Sequence, residues 1–129
     1  MARVNAIEAR LPVTDVARSA AFYEGILGFE IATLWPQQNP EFAILNRDGL
    51  RLQLGQDPNA GSGSNASATL WLDVEELVEL HATVQNRTQV EWGPEVYSYG
   101  RREFGFRDPD GNWVILSEPT NEPPTCTDG

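Results

Sequence analysis

Large aromatic rings set among charged side chains are the residues in this chain best suited to chemistry, and that chemistry is recognition rather than bond making. They are Phe42 in FAILNRD, Trp71 in TLWLD, Tyr99, Arg101 and Glu103 in YSYGRREF, Trp113 in GNWVILSE, and Glu8 near the start. A ring stacked on a flat ligand contributes about 0.5–1.5 kcal/mol beyond the area it buries, and a cation over Trp or Tyr a similar amount. Groups for catalysis are few. His81 is the sole histidine and Cys126 the sole cysteine. A Ser-His-Asp arrangement would need that one histidine, and the thiol does not sit at a helix start, where it would be activated. No motif supports an acid–base pair such as Tyr99–Glu103 or Glu8–Arg10.

The composition narrows the partners. With 19 acidic and 9 basic residues the 129-residue chain carries a formal charge of −10. Phosphate binding draws on a basic surface and released counterions, so a nucleic-acid partner is not expected. A cationic ligand would be attracted, although the same charge also serves solubility. No segment is apolar for the length of a membrane span, and MARVNAIEARLPV lacks the apolar core of a signal peptide, so a cytoplasmic protein is expected. One cysteine allows no internal disulfide, and the tail 119–129 around it (PTNEPPTCTDG) has the composition of a frayed end.

The elements that position the aromatic residues follow from periodicity. VNAIEARLPV (4–13) alternates as a strand. Asp15 offers an N-cap to VARSAAFYEGIL, which has helical spacing and ends at Gly28. FEIATLW, FAILNRD and LRLQL read as three further strands, the last with Leu50, Leu52 and Leu54 on one face and Arg51 and Gln53 on the other. Residues 56–67 (QDPNAGSGSNAS) form a linker. The order then repeats: strand ATLWLDV, a helix over EELVELHATVQNR with Asp73 and Glu76 spaced as a capping box, a short strand near 89–92, and two strands within Tyr97–Glu118. Asp108-Pro109-Asp110-Gly111-Asn112 between those two strands has the make-up of a tight structural turn. Phe104, Phe106, Val114 and Leu116 fall on one face of the pair, and Tyr99, Arg101, Glu103, Trp113, Ile115 and Ser117 on the other. Strand parity adds Glu8, Arg10, Phe42, Arg51, Gln53, Thr69, Trp71 and Asp73 to the face away from the helices. Trp71 and Trp113 fit a ligand cleft, and they also fit packing at a sheet or subunit interface. Trp35 and Trp92 are not assigned by the pattern; loop, rim and cleft all suit them.

Two stretches, LPVTDVARSAAFYEGILGFE (11–30) and YGRREFGFRDPDGNWVILSE (99–118), together with the repeat, resemble the vicinal-oxygen-chelate superfamily of glyoxalases, extradiol dioxygenases, and fosfomycin- and bleomycin-resistance proteins. The resemblance covers residues 4–118. It implies an α+β fold of two βαβββ modules (4–55 and 68–118) with curled mixed sheets around a cleft. Metal-using members take ligands from four strand positions that fall here on Glu8, Gln53, Thr69 and Ile115. Only Glu8 is a good hard ligand, so these read as vestigial and no metal or other cofactor is expected. FAILNRDGLRLQL (42–54), TLWL and YGRREF are most similar to bleomycin-resistance proteins, which sequester a drug without turnover. Their stacking positions fall on Phe42, Trp71 and Tyr99, the last a tryptophan in that family. The resemblance thus implies binding of a small cationic or aromatic ligand, such as a bleomycin-type antibiotic, through Phe42, Trp71 and Tyr99; strand parity adds Trp113, Arg101 and Glu8 to the expected site, and a homodimer is expected because open, curled sheets leave edges and cleft walls that a second copy can complete. The alternative is a metal-dependent enzyme of the superfamily: a glyoxalase-like lyase, a dioxygenase or a thiol transferase.

Overall fold

The computed structural model describes residues 1–61 and 68–126. Its first helix shows how sequence becomes structure. Asp15, in extended backbone, accepts the Arg18 amide at 3.0 Å and starts α1 (Val16–Leu27); Gly28, at φ 70°, ends it with its N–H on the Glu24 carbonyl. The stripe Val16, Ala20, Tyr23 and Leu27 is buried. Before the helix lies β1 (Ala9–Val13), and after it come β2 (Glu30–Trp35), β3 (Phe42–Arg47) and β4 (Leu50–Gln56). They form one mixed sheet in the order β1-β4-β3-β2, with β1 and β4 parallel. The second module repeats this plan: β5 (Thr69–Asp73), α2 (Leu77–Gln85), β6 (Val90–Tyr97), β7 (Arg101–Arg107) and β8 (Trp113–Pro119), in the order β5-β8-β7-β6. The fold is α+β, two open four-stranded mixed sheets with one helix each.

The two modules share one core. Leu11, Leu45, Leu52 and Leu54 from the first sheet join Phe104, Phe106, Val114 and Leu116 from the second, with α1 and α2 contributing to the same cluster. Phe22 of α1 lies 6.1 Å from Phe106, and Arg87, just beyond α2, donates to the Gly25 carbonyl in α1. The helix-covered faces thus turn toward this common core, and the uncovered face of each sheet turns away from it.

The Asp108–Asn112 turn is what fastens the modules together. Asp108 accepts the backbone amides of Asp110 and Asn112 on one oxygen, and the Tyr23 hydroxyl (2.8 Å) and the Asn112 side-chain amide on the other. Asp110 accepts from the Thr14 amide and hydroxyl, and Asn112 bridges from the Pro12 carbonyl to the Ala68 amide. Each of these groups is buried or partly buried, so each bond also removes the cost of an unpaired polar atom, about 1–3 kcal/mol.

Four details depart from the sequence pattern. The first strand begins at Ala9, and residues 1–8 form no strand, with Ile7 fully exposed. The Asp73/Glu76 capping box does not form: Glu76 sits at φ 57° with no side-chain cap bond, Asp73 pairs with Arg101, and the Leu77 amide donates to Glu118 of β8 instead. His81, expected on the solvent face of the second helix, is half-buried and packs edge-on against Phe104 at 5.1 Å. The expected frayed tail is tied down as far as it is described. Thr125 exchanges hydrogen bonds with the Val96 backbone, Arg102 pairs with Glu122, and Cys126, half-buried, donates to the Val96 carbonyl. Of the linker, residues 62–67 lie outside the described residues; Ala60 before them is buried.

Candidate functional site: the open face of the second sheet

Register across the second sheet assembles the site. Trp71 of β5 faces Ile115 of β8, which faces Gly105 of β7, which faces Trp92 of β6. The next row on the same face is Asp73, Ser117, Glu103 and Glu95. Gly105 leaves room for an aromatic floor: a Cβ built there would lie 2.6–2.7 Å from three Trp92 indole atoms, so the indole rests directly on the glycine. Next to Trp92, Tyr97 packs edge-on at 6.3 Å, and Tyr99 stacks on Tyr97 at 5.4 Å with the rings 8° from parallel. Trp71 is 48% exposed and Tyr99 59%, so both present ring surface to solvent.

At the bottom of this face is a polar relay. Glu103 is only 5% exposed, and each of its oxygens takes a hydroxyl: Tyr99 donates to one at 2.6 Å and Ser117 to the other at 2.7 Å. Ser117 in turn accepts from Arg101 at 2.7 Å, and Arg101 also pairs with Asp73. The Arg101 guanidinium lies 4.9 Å over the Trp71 ring. Asp73, Glu103 and Arg101 together carry a net charge of −1, beside rings whose faces accept cations.

Three predicted residues, Trp71, Tyr99 and Arg101, meet here. Trp113 lies on the same face, one row beyond Ile115 and covered by the Arg107 guanidinium at 4.1 Å. Phe42 and Glu8 belong to the first module. Phe42 is capped by Arg10 at 4.8 Å, and Glu8 accepts from Gln53 at 3.0 Å and pairs with Arg51 at 3.5 Å. Within one chain, then, the six residues are divided between two outward-facing sheets. Arginine lies over three of the four predicted rings. On the first sheet Asn46 shares the strand parity of Phe42, and its Oδ1 is buried without a hydrogen-bond partner. Trp92 and Tyr97 were not legible as site residues. The signal that pointed to them was Gly105, since a glycine inside an alternating strand marks a close approach.

The sequence matches the family model described as Glyoxalase/Bleomycin resistance protein/Dioxygenase superfamily over residues 3–116. The chain belongs to that superfamily. No curated protein matches it. Among solved structures, the bleomycin-binding protein from bleomycin-producing Streptomyces verticillus, complexed with copper(II)-bleomycin, is 24% identical and has a TM-score of 0.73, covering 95% of this chain and 100% of that one. Lactoylglutathione lyase from Agrobacterium tumefaciens is 18% identical at TM-score 0.73 (91% and 95% covered), and TioX from Micromonospora sp. ML1 is 16% identical at 0.77 (90% and 99%). At these identities the likeness is one of fold.

The four positions that the resemblance assigns to metal ligands do not offer a donor set that fits a divalent ion. Ile115 has no donor atom, Thr69 offers a weak neutral hydroxyl, and the Glu8 carboxylate is engaged by Gln53 and Arg51. Among the described residues no three His, Cys, Asp or Glu side chains group to hold a metal.

Proposed function

We propose that this protein binds a flat, cationic, partly aromatic small molecule of the bleomycin type and sequesters it without chemical change, acting as a homodimer in the cytoplasm and conferring tolerance to the drug. The observation that carries the reading is the open face of the second sheet, where Trp71 and the Tyr97–Tyr99 stack flank a buried carboxylate. A planar cation stacks on the exposed face of Tyr99 or replaces Arg101 over Trp71, and Glu103 and Asp73 supply the opposing charge. Because the two open faces of one chain point apart, Phe42 and Glu8 complete such a site only when supplied by a second copy. Isothermal titration calorimetry with metal-free bleomycin tests this: one drug bound per chain, at micromolar affinity or tighter, is expected. No heat of binding at tens of micromolar protein contradicts it.

The family itself leaves a second reading. Membership of a superfamily that includes metal enzymes leaves a metal-dependent lyase, dioxygenase or thiol transferase, in which Glu8 would give up its bonds to Gln53 and Arg51 and a partner chain would supply the donors this chain lacks. Metal analysis of protein purified without chelator decides between them: a stoichiometric divalent ion supports the enzyme, and its absence with drug binding intact removes it.

A further inference from the structure

The chain continues past β8 and turns back along the second sheet. The Thr120 amide donates to the Gly100 carbonyl at 2.9 Å, and Glu122 pairs with Arg102 of β7. The segment then reaches β6, the strand at the end of that sheet. There the Thr125 amide donates to the Val96 carbonyl at 2.9 Å, and the Thr125 hydroxyl accepts from the Val96 amide at 2.8 Å. The Cys126 thiol donates to the same carbonyl. An end strand without such cover presents bare amides and carbonyls. Pro123 and Pro124 restrict the backbone just before Thr125, so less freedom is lost when the segment docks.

This strap also reaches the candidate site. Thr125 Oγ1 donates to Glu95 Oε2 at 2.6 Å, and Glu95 stands directly opposite Glu103 in the β6–β7 register. Glu95 thus carries the row of Asp73, Ser117 and Glu103 to the outer end of the open face, on the strand that bears Trp92 and Tyr97. Like charges opposite each other across two strands repel. Among the described residues no basic side chain pairs with either glutamate. Hydroxyls hold them instead: Thr125 on Glu95, and Tyr99 and Ser117 on Glu103. Residues 121–125 are exposed, so the strap lifts at far less cost than the core unfolds.

We propose that residues 120–126 are a strap belonging to the binding site, in which Thr125 is a positioning residue. With the strap down, Thr125 fixes Glu95 beside Glu103, and a cationic ligand bound at this pair holds the strap down. The strap rests on the proposed function and extends its site to a segment outside both modules. Coupling is reciprocal: the factor by which the docked strap tightens binding is the factor by which the ligand favours docking.

Cys126 supplies the readout. It is the sole cysteine and sits at the end of the strap, so its rate of reaction with a maleimide reports how often the strap lifts. Three proteins are titrated with metal-free bleomycin and labelled with and without it. They are the native chain, Thr125→Val, which removes the hydroxyl at nearly constant volume, and Thr125→Ser, which restores it. A dissociation constant at least fivefold higher in the valine variant and native-like in the serine variant is expected, with labelling of the native chain slowed at least fivefold by the drug. A tail that only covers the edge of β6 would leave labelling indifferent to the drug. Equal affinity of the native and valine proteins, or labelling that the drug does not slow, overturns the strap and leaves the proposed function standing. A native chain that binds no bleomycin overturns the proposed function, and the strap with it.

Discussion

Tyr23 joins the two modules with a single hydroxyl. Its oxygen donates to buried Asp108, 85 positions later in the chain. Burial and the nearby Asp108 carboxylate together push its ionisation far above the ordinary tyrosine range near 10. The folded protein therefore keeps a proton that the unfolded chain gives up above about pH 10, so stability falls as pH rises past that point, by up to about 1.4 kcal/mol per unit. Tyr23→Phe leaves the ring packing in place and removes the bond to a charged acceptor. A loss of about 1.5–3 kcal/mol at pH 7 is expected in urea denaturation, with the contribution of this group to the alkaline slope abolished. An unchanged slope would show that another group titrates there. The residues of the DPDGN turn were legible as a turn because its dipeptides dictate local backbone. Its partners Thr14, Ser19 and Tyr23 were not, since no local pattern signals a hydrogen bond across most of the chain.

At the scale of elements, periodicity located the strands and helices, and tertiary contacts decided their ends. Asp73 and Glu76 have capping-box spacing, yet Arg101 takes Asp73 and the neighbouring strand caps α2 through Glu118. Ile7 continues the alternation of Ala9 and Leu11, but the pairing of β1 with β4 starts at Ala9↔Leu52, and residues 1–8 lie in no strand. In β7, Gly105 makes the space that Trp92 fills. Gly105→Ala puts a methyl group into the indole and is expected to cost about 1–3 kcal/mol. The same substitution in a Trp92→Ala background costs less, because the clash has been removed, so a double-mutant cycle should give a coupling of at least 0.5 kcal/mol. Additive effects would mean that Trp92 does not rest on that glycine.

The whole molecule is two sheets back to back, each turning an aromatic and charged face outward. Among the described residues no helix is long and apolar enough to cross a membrane. The charge of −10 per chain favours encounter with cations at low ionic strength, so drug association is expected to slow as salt is raised from 0.01 to 0.15 M, where the screening length falls from about 30 to 8 Å. A salt-independent association rate, followed by stopped flow, would leave the charge without a part in capture. Strand parity put Trp71, Tyr99 and Arg101 on the face away from the helices, along with Phe42 and Glu8. The separation of Phe42 and Glu8 onto another face was not legible, because it depends on how the modules pack rather than on any strand's pattern.

The most direct measurement is a tryptophan-fluorescence titration with metal-free bleomycin, run in parallel on the native chain and on Trp71→Ala. Trp71 is half-exposed on the sheet surface, so the variant is expected to fold. Saturable quenching at one drug per chain, with affinity reduced at least tenfold in the variant, is the result predicted here. A flat titration of the native chain, or equal affinity in both proteins, would contradict the assignment of the second sheet's open face as the binding site.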